Sequence, residues 1–505
     1  MKKILTLILA ALFLASFTSL TEKWLDSKYI KVNLDGTLTY IPDAKGNIIP
    51  DFSHVGYHQG DREIMDIKVV KTVSPNENGD NQAILQNAVD EVSQLPLDIN
   101  GFRGAILLKK GTYKIPETIT INKSGIVLKG EGVSETKLIA TGKGQRSLII
   151  FKGEGQLKEI QGSRVKIADK FVPVGAFAFT VTDASQYKIG DNIVVLRIPN
   201  NKWISDLKMD QIEIPEGRNV KQWQAKDYML RFERLITKME GNKITVDNPI
   251  VMEMDENYGD AEIYKSTFDG RIKEVGIENM SFESEYANDT DEDHGWIAVQ
   301  FDKVQDGWVR NIVTRYFGYA AVSINSTSKQ ITVKDSKCLD AKSIIDGGRR
   351  YSFNNNGQLN LFMNLETTEG RHDYVTGARV LGPNVFYNCK ASKTHADIGP
   401  HHRWTVGTLY DNITTDGEIV VQDRGFMGSG HGWAGVTQIL WNCKAKKVAV
   451  QSPWVSGQNY SFGTQGGKYE GHFKGRPDGV WENQNQTDIA PKSLYLAQLQ
   501  SRKKN

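Results

Sequence analysis

The sequence predicts an all-β chain wound as a parallel solenoid. Three observations point to it: a recurring phrase, many glycine turns, and one amphipathic helix ahead of short β-type runs. The phrase appears as "GIENMSFES", "WVRNIVTRY", "TVKDSKCLD", "VFYNCKASK", "TLYDNITTD" and "ILWNCKAKK". Each is an apolar lead-in, then Asn or Asp, then alternating small or apolar residues. The polar anchors are Asn279, Asn311, Asp335, Asn388, Asn412 and Asn442, at intervals of 32, 24, 53, 24 and 30, and the 53 divides naturally into two coils. Self-similarity of this kind marks stacked coils, each exposing inward side chains that only its neighbours can bury. Asn and Asp at the bends hydrogen-bond local backbone and tolerate unusual dihedrals. The 505 residues hold 47 glycines but 14 prolines, which suits tight turns in a β-rich chain. A β-sandwich is the competing arrangement; the matching phrases favour the solenoid.

Taken in order, the chain opens with "MKKILTLILAALFLASFTSL", where two lysines precede an apolar run and then small and polar residues. This is the layout of a secretory signal peptide, too short for a membrane span. The expected mature protein is exported, periplasmic or extracellular, with no membrane span. "DNQAILQNAVDEVSQL", residues 80–95, places Ile84, Ala88, Val92 and Leu95 on one helical stripe, with Asp80 or Asn81 as the N-cap. Strand-like runs follow: "GAILLKKGTYKI", "ETITI" and "SGIVLKGEG". A helix ahead of the first coil is a natural cap for an otherwise open strand edge.

The order "GDNQAILQNAVDEV…GAILLKKGTYKI…ITINKSGIVLKGEG" resembles the opening of the pectate-lyase superfamily, and "IPDFSHVGYHQGD" resembles a leader of its secreted bacterial members. The resemblance implies a right-handed parallel β-helix. It leaves the reaction open, because the superfamily includes polysaccharide lyases, glycoside hydrolases, epimerases and phage tailspikes.

Between residues 164 and 270 the rhythm changes, and "YKIGDNIVVLR" reads as a hairpin that coils would not need. The expected organisation is a signal peptide (1–20), a leader packing on the solenoid (21–75), a capping helix with first coils (76–163), a β-rich insertion (164–270), main coils carrying the site (271–480) and a C-terminal cap or tail (481–505). Cys338, Cys389 and Cys443 are odd in number and lack metal-ligand spacing, so they read as small buried residues of the repeat. A formal net charge of +2 gives no sign of a nucleic-acid partner.

Five of the nine histidines lie between residues 372 and 431. Arg349 and Arg350, His372, His395 with Asp397, and Asp423 with Arg424 recur at about one coil length, which predicts a column on one face with steps near the ~5 Å strand spacing. His401, His402, Arg403 and Trp404 would project from the loop beside it, with His431 and Trp433 close by. Such a strip suits an acidic polysaccharide. Arginine forks bind carboxylates, tryptophan faces pack against sugar rings, and histidine moves protons near neutrality. The chemistry expected is β-elimination from a uronic-acid glycan. His372 or His402 would be the base, Tyr374 a further proton-transfer group, and Arg403 and Arg424 the carboxylate holders. Arg349, Arg350, His395, Asp397, His401, Trp404, Asp423, His431 and Trp433 would bind substrate or orient these groups. The alternatives are a glycoside hydrolase using Asp397 and Asp423, with Asp373 as a third carboxylate, and a non-catalytic glycan-binding β-helix. The acidic run "FESEYANDTDEDHGW" could hold calcium, but its spacing is not that of an EF-hand and an acidic solvated turn is the preferred reading; no metal is assigned.

Overall fold

The computed structural model describes residues 23–504 apart from residues 25–26, 34, 78 and 488. The expected signal peptide lies outside the described residues. Among those described, no helix is long and apolar enough to cross a membrane.

Parallel strands climb coil by coil from Val69–Val73 to Val480–Glu482. Ile277, Val309, Val333, Phe362, Phe386, Tyr410 and Leu440 pair in succession, one per coil. All are buried, so each coil supplies one rung to a continuous apolar stack. Phe362, Phe386 and Tyr410 stack face to face at 4.7 and 5.4 Å, and on another run of paired strands Phe151 lies over Phe301 at 5.0 Å. Offset aromatic stacking adds to the area these rings bury.

The repeat's polar anchors are the bends. Asn279, Asn311, Asp335, Asn388, Asn412 and Asn442 all have φ between 48° and 61°, the left-handed region that, after glycine, Asn and Asp enter most readily. The long interval contains the missing rung, Asn364, with φ 56°. Side-chain amides link successive rungs: Asn311 donates to Asn279 at 2.8 Å, Asn364 to Asp335 at 2.8 Å, and Asn388 to Asn364 at 2.7 Å. Cys338, Cys389 and Cys443 are buried free thiols.

The early helix spans Gln82–Ser93 and packs on the first coils. Its buried stripe is Leu85, Ala88, Val89 and Val92, while Ile84 and Leu95 are exposed. The predicted stripe was therefore rotated by about one residue, because three- and four-residue steps fit either neighbouring face. Asn81 is the N-cap, but its side chain accepts from Asn76 N, and Asp80 Oδ1 accepts from Gln82 N at 2.6 Å instead.

Antiparallel strands interrupt the coils. Asn192–Pro199 pairs with Leu230–Glu240 and with Gly259–Thr267. Their apolar side packs against Trp404, Val406, Trp433 and Val436 of the coils. A buried ion cluster sews this body to the β-helix: Arg271 forks onto Glu233 at 2.6 and 2.7 Å, and Lys329 lies 3.1 Å from the same carboxylate. Burial works to raise Glu233, but Lys329 and Arg271 outweigh it and hold the group at about 2. On another flank, Ile49, Phe52 and Val55 of the leader pack with Leu361, Val385, Leu409 and Ile439, and with Leu494 and Tyr495 of the C-terminal helix Leu494–Lys504.

Candidate active site

The histidines do converge, on one cleft. His372, His401, His402 and His431 form a chain of rings with centroids 4.5 Å (372–401), 5.1 Å (401–402), 5.1 Å (401–431) and 4.8 Å (402–431) apart. They border two adjoining recesses of about 410 and 440 Å³, which share Arg371, Arg424 and Met427. The glycines of "GSGHGWAG" make this possible. Gly428 has φ 57°, and a Cβ there would lie 2.1 Å from the His431 ring. Gly432, also at φ 57°, sits against Trp223 and Met209. Arg403 and Trp404 take φ values of 54° and 67° in succession, a strained turn directly after His401 and His402.

His372 is buried, and its Nδ1 lies 2.8 Å from the Asp397 carbonyl oxygen and 3.7 Å from the Asp397 carboxylate. A carbonyl only accepts, so Nδ1 carries the proton and Nε2 keeps the lone pair. That Nε2 has no hydrogen-bond partner among the described residues. Burial is the main force lowering His372 to about 4, against the pull of Asp397. Burial likewise dominates in lowering His402 to about 3 and His431 to about 4, with neighbouring histidine and arginine charges adding to it. His401 is driven down by burial, then by His372 and Arg424. All four imidazoles are therefore neutral near pH 7.

Arg424 Nη1 donates to Asp397 Oδ2 at 2.8 Å, while its buried Nε is unpartnered among the described residues. Burial would raise Asp397, but Arg424 and His372 hold it at about 2. Two groups not singled out from sequence complete the cleft. The hydroxyl of Tyr351 lies 3.0 Å from His401 Nε2, and its ring meets His372 edge-on at 5.0 Å. Burial raises the Tyr351 phenol above its ordinary value. Arg371 stands beside both recesses. The signal was available: "RRYSF" and "GRHDY" sit one coil apart.

Several predicted residues lie elsewhere. Tyr374 points into the core, stacking on Phe353 and donating to the carbonyls of Leu365 and Lys390. Burial holds it protonated, so it exchanges no proton with the cleft. Trp404 and Trp433 are fully buried under the inserted body. Trp404 meets Trp203 at 5.0 Å, and Trp433 donates to the Leu207 carbonyl at 3.3 Å, so neither offers a face to sugar. Arg349 forks onto Glu292 at 2.7 Å through both contacts. Arg350 is buried, and its guanidinium donates to the Ser343 carbonyl at 2.6 Å. Both brace loops. Arg403 donates to Ser429 Oγ at 2.6 Å and borders a neighbouring recess rather than the histidine cleft. His395 reaches the cleft edge with its Nε2 2.9 Å from Glu369.

The predicted column is also corrected. Register pairs Val375 with Gly399 and Asp397 with Glu418, so Asp423 is not stacked on Asp397. Asp423 bridges Trp433 antiparallel where the chain doubles back. Its carboxylate accepts from Arg476 Nε at 2.8 Å and borders a separate recess of about 190 Å³. Asp373 is buried, accepts from Ser352 Oγ at 2.7 Å, and is raised by burial to about 6, yet borders neither recess. In the acidic 282–296 loop, Asp289 lies 2.8 Å from Lys342 Nζ and Glu292 holds Arg349. Buried His294 contacts Ser284 Oγ and the Lys342 carbonyl. Among the described residues, the one cluster with metal-ligand proximity is His58, Glu274 and Asp306, where the leader meets the coils.

Fold and cleft together define a parallel β-helix protein with a neutral histidine cluster flanked by arginines. No protein-family model matches the chain, and no curated protein sequence does. Among solved structures it is similar to the tailspike protein gp49 from Pseudomonas phage LKA1, at 15% identity over 76% of this chain and 56% of that one, with a TM-score of 0.47. It is also similar to an alginate lyase from Paenibacillus sp. str. FPU-7, at 9% identity over 83% of this chain and 100% of that one, with a TM-score of 0.38. A third is the catalytic domain of a GH87 alpha-1,3-glucanase, at 11% identity over 84% of this chain and 67% of that one, with a TM-score of 0.36. The chain spans 56% of the length of the tailspike it matches. None of these similarities transfers an activity.

Proposed function

We propose that this protein is an exported polysaccharide lyase of the pectate-lyase superfamily, cleaving a uronic-acid glycan by β-elimination at the histidine cleft. The observation that carries the reading is one fixed, neutral imidazole with an unpartnered lone pair, His372 Nε2, in a recess that Arg371 and Arg424 also line. Arg371 and the unpartnered, buried Nε of Arg424 would neutralise the substrate carboxylate and so acidify the ring proton beside it. His372 Nε2 takes that proton. The released electron pair forms the ring double bond as the glycosidic C–O bond breaks, and the leaving oxygen takes the Tyr351 hydroxyl proton. His372 is preferred to His402 as base because Asp397 orients it.

The geometry favours this over paired carboxylates. Asp397, held at about 2, has no proton to donate, and Asp423 borders a different recess. The test is incubation with polygalacturonate, alginate, ulvan and glycosaminoglycans while following ultraviolet absorbance of the unsaturated product. His372→Ala should lower its rate of formation by about 10²–10⁴. New reducing ends without the chromophore would establish a hydrolase instead. Saturable binding without product would establish a glycan-binding protein.

A further inference from the structure

Beside the histidine cleft lies a larger recess, about 690 Å³, between the inserted body and the coils. Lys221, Lys226, Arg379 and Arg403 border it, against a single acid, Asp227. In a chain of net charge +2, this is a local concentration of cations. The recess is built on ordered parts. Its back wall is Trp223 stacked on Tyr228 at 4.3 Å, both buried, and the Arg379 guanidinium lies 5.6 Å from the Tyr228 ring centre. Backbone bonds tie it to the cleft: Arg379 N donates to Arg403 O at 2.9 Å, and Arg403 N to His431 O at 3.1 Å. Arg379, Arg403 and His431 therefore follow one another on successive coils, and Ser429 borders both recesses.

We infer that this recess is a second anion subsite, taking the carboxylate or sulfate of a sugar that neighbours the cleaved residue on the same chain. The inference rests on the proposed glycan substrate and adds where a second acidic group sits. Guanidinium groups suit both anions because their paired N–H donors match two oxygens at once. The converging positive field draws a polyanion toward the cleft and fixes its register. The subsite also bears on His402, which shares the cleft with the proposed base His372. After burial and His431, Arg403 and Arg379 are among the charges that depress His402. An anion bound between them would offset that effect and make the neighbouring imidazole a stronger base.

Arg379, Lys221 and Lys226 are exposed, and the one packing contact at stake is that of Arg379 with the Tyr228 ring. The experiment is direct titration of the full chain with alginate, polygalacturonate, chondroitin sulfate and desulfated chondroitin, with dextran as the neutral control. Wild type is compared with the Arg379→Ala/Lys226→Ala double variant at low and high salt. The expected result is binding of at least one polyanion and none of dextran. The double variant should bind about tenfold or more weakly, with a shallower salt dependence. A larger loss on chondroitin sulfate than on its desulfated form assigns the recess to sulfate, and equal losses assign it to carboxylate. Unchanged affinity in the variant overturns the subsite, as does failure of all four polyanions to bind. Because binding is read without turnover, a wild-type protein that binds but yields no unsaturated product would sink the lyase reading and leave the subsite standing.

Discussion

Acid should destabilise this protein through its buried histidines before the ion-paired carboxylates Asp397 and Glu233, both held at about 2, take up protons. In the folded chain His372 takes a proton only near about 4, whereas an unfolded imidazole does so at 6.5. Between those values the unfolded state holds more protons, so stability falls as pH falls, and the full contribution is present above 6.5. The interval is worth about 3 kcal/mol at this one site, at about 1.4 kcal/mol per pKa step. His402 and His431 act in the same direction, but they share charged neighbours with His372, so the three contributions do not simply add. The perturbation that isolates the effect is His372→Gln, which keeps a polar group facing the Asp397 carbonyl but cannot titrate. Urea unfolding of both proteins at pH 8, 7, 6, 5 and 4.5 gives the comparison. Wild type should lead by most at pH 8, and the gap should close steadily below 6.5. Two curves that stay parallel across this range would refute a histidine held neutral by burial.

The two tyrosines separate the cleft from the core. Tyr351→Phe should reduce turnover on the cleaved glycan by about 10²–10⁴ and, by taking the partner of buried His401 Nε2, lower stability by about 1–3 kcal/mol, whereas Tyr374→Phe, which strips a donor from two buried carbonyls, should lower stability by a similar amount and leave turnover intact. Arg424→Ala leaves the buried Asp397 carboxylate without its cation, a loss of about 3–5 kcal/mol, readable as a lowered melting midpoint. In the bend ladder, Asn388→Ala should cost about 2 kcal/mol, half from the left-handed backbone and half from the amide bond to Asn364. Asn388→Gly should recover the backbone half in the same urea titration.

The coils were legible because their signal is local: a polar residue that bends the chain, placed between inward-facing apolar ones. Asn364, in "LFMNLETT", was the rung not named, although it falls within the 53-residue interval that already divides into two coils. The cleft was half legible. Clustering identified His372, His401, His402, His431 and Arg424, but simple spacing put Asp423 with Asp397 and Arg349 with His372. Counting residues works only where strands set the register. Asp423 lies past Glu418–Val421, where the chain turns back on itself, and there loop length no longer reports position along the stack.

The tryptophans show a deeper limit and what it produces. Trp404 and Trp433 adjoin the histidines in sequence, and nothing local distinguishes a ring awaiting sugar from one awaiting protein. The difference lies in Trp203, Met209 and Trp223, some two hundred residues earlier, which fill the space against those rings. That contact backs the His401–Arg403 turn and the His431 loop from behind, adding to the backbone bonds from Arg403 N to His431 O and from Trp404 N to Trp433 O that join them. It also excludes water from the back of the cluster, and desolvation is the largest cause of the low pKa at all four imidazoles. The inserted body thus shapes the acid–base character of residues it does not itself supply, a form of preorganisation carried by packing.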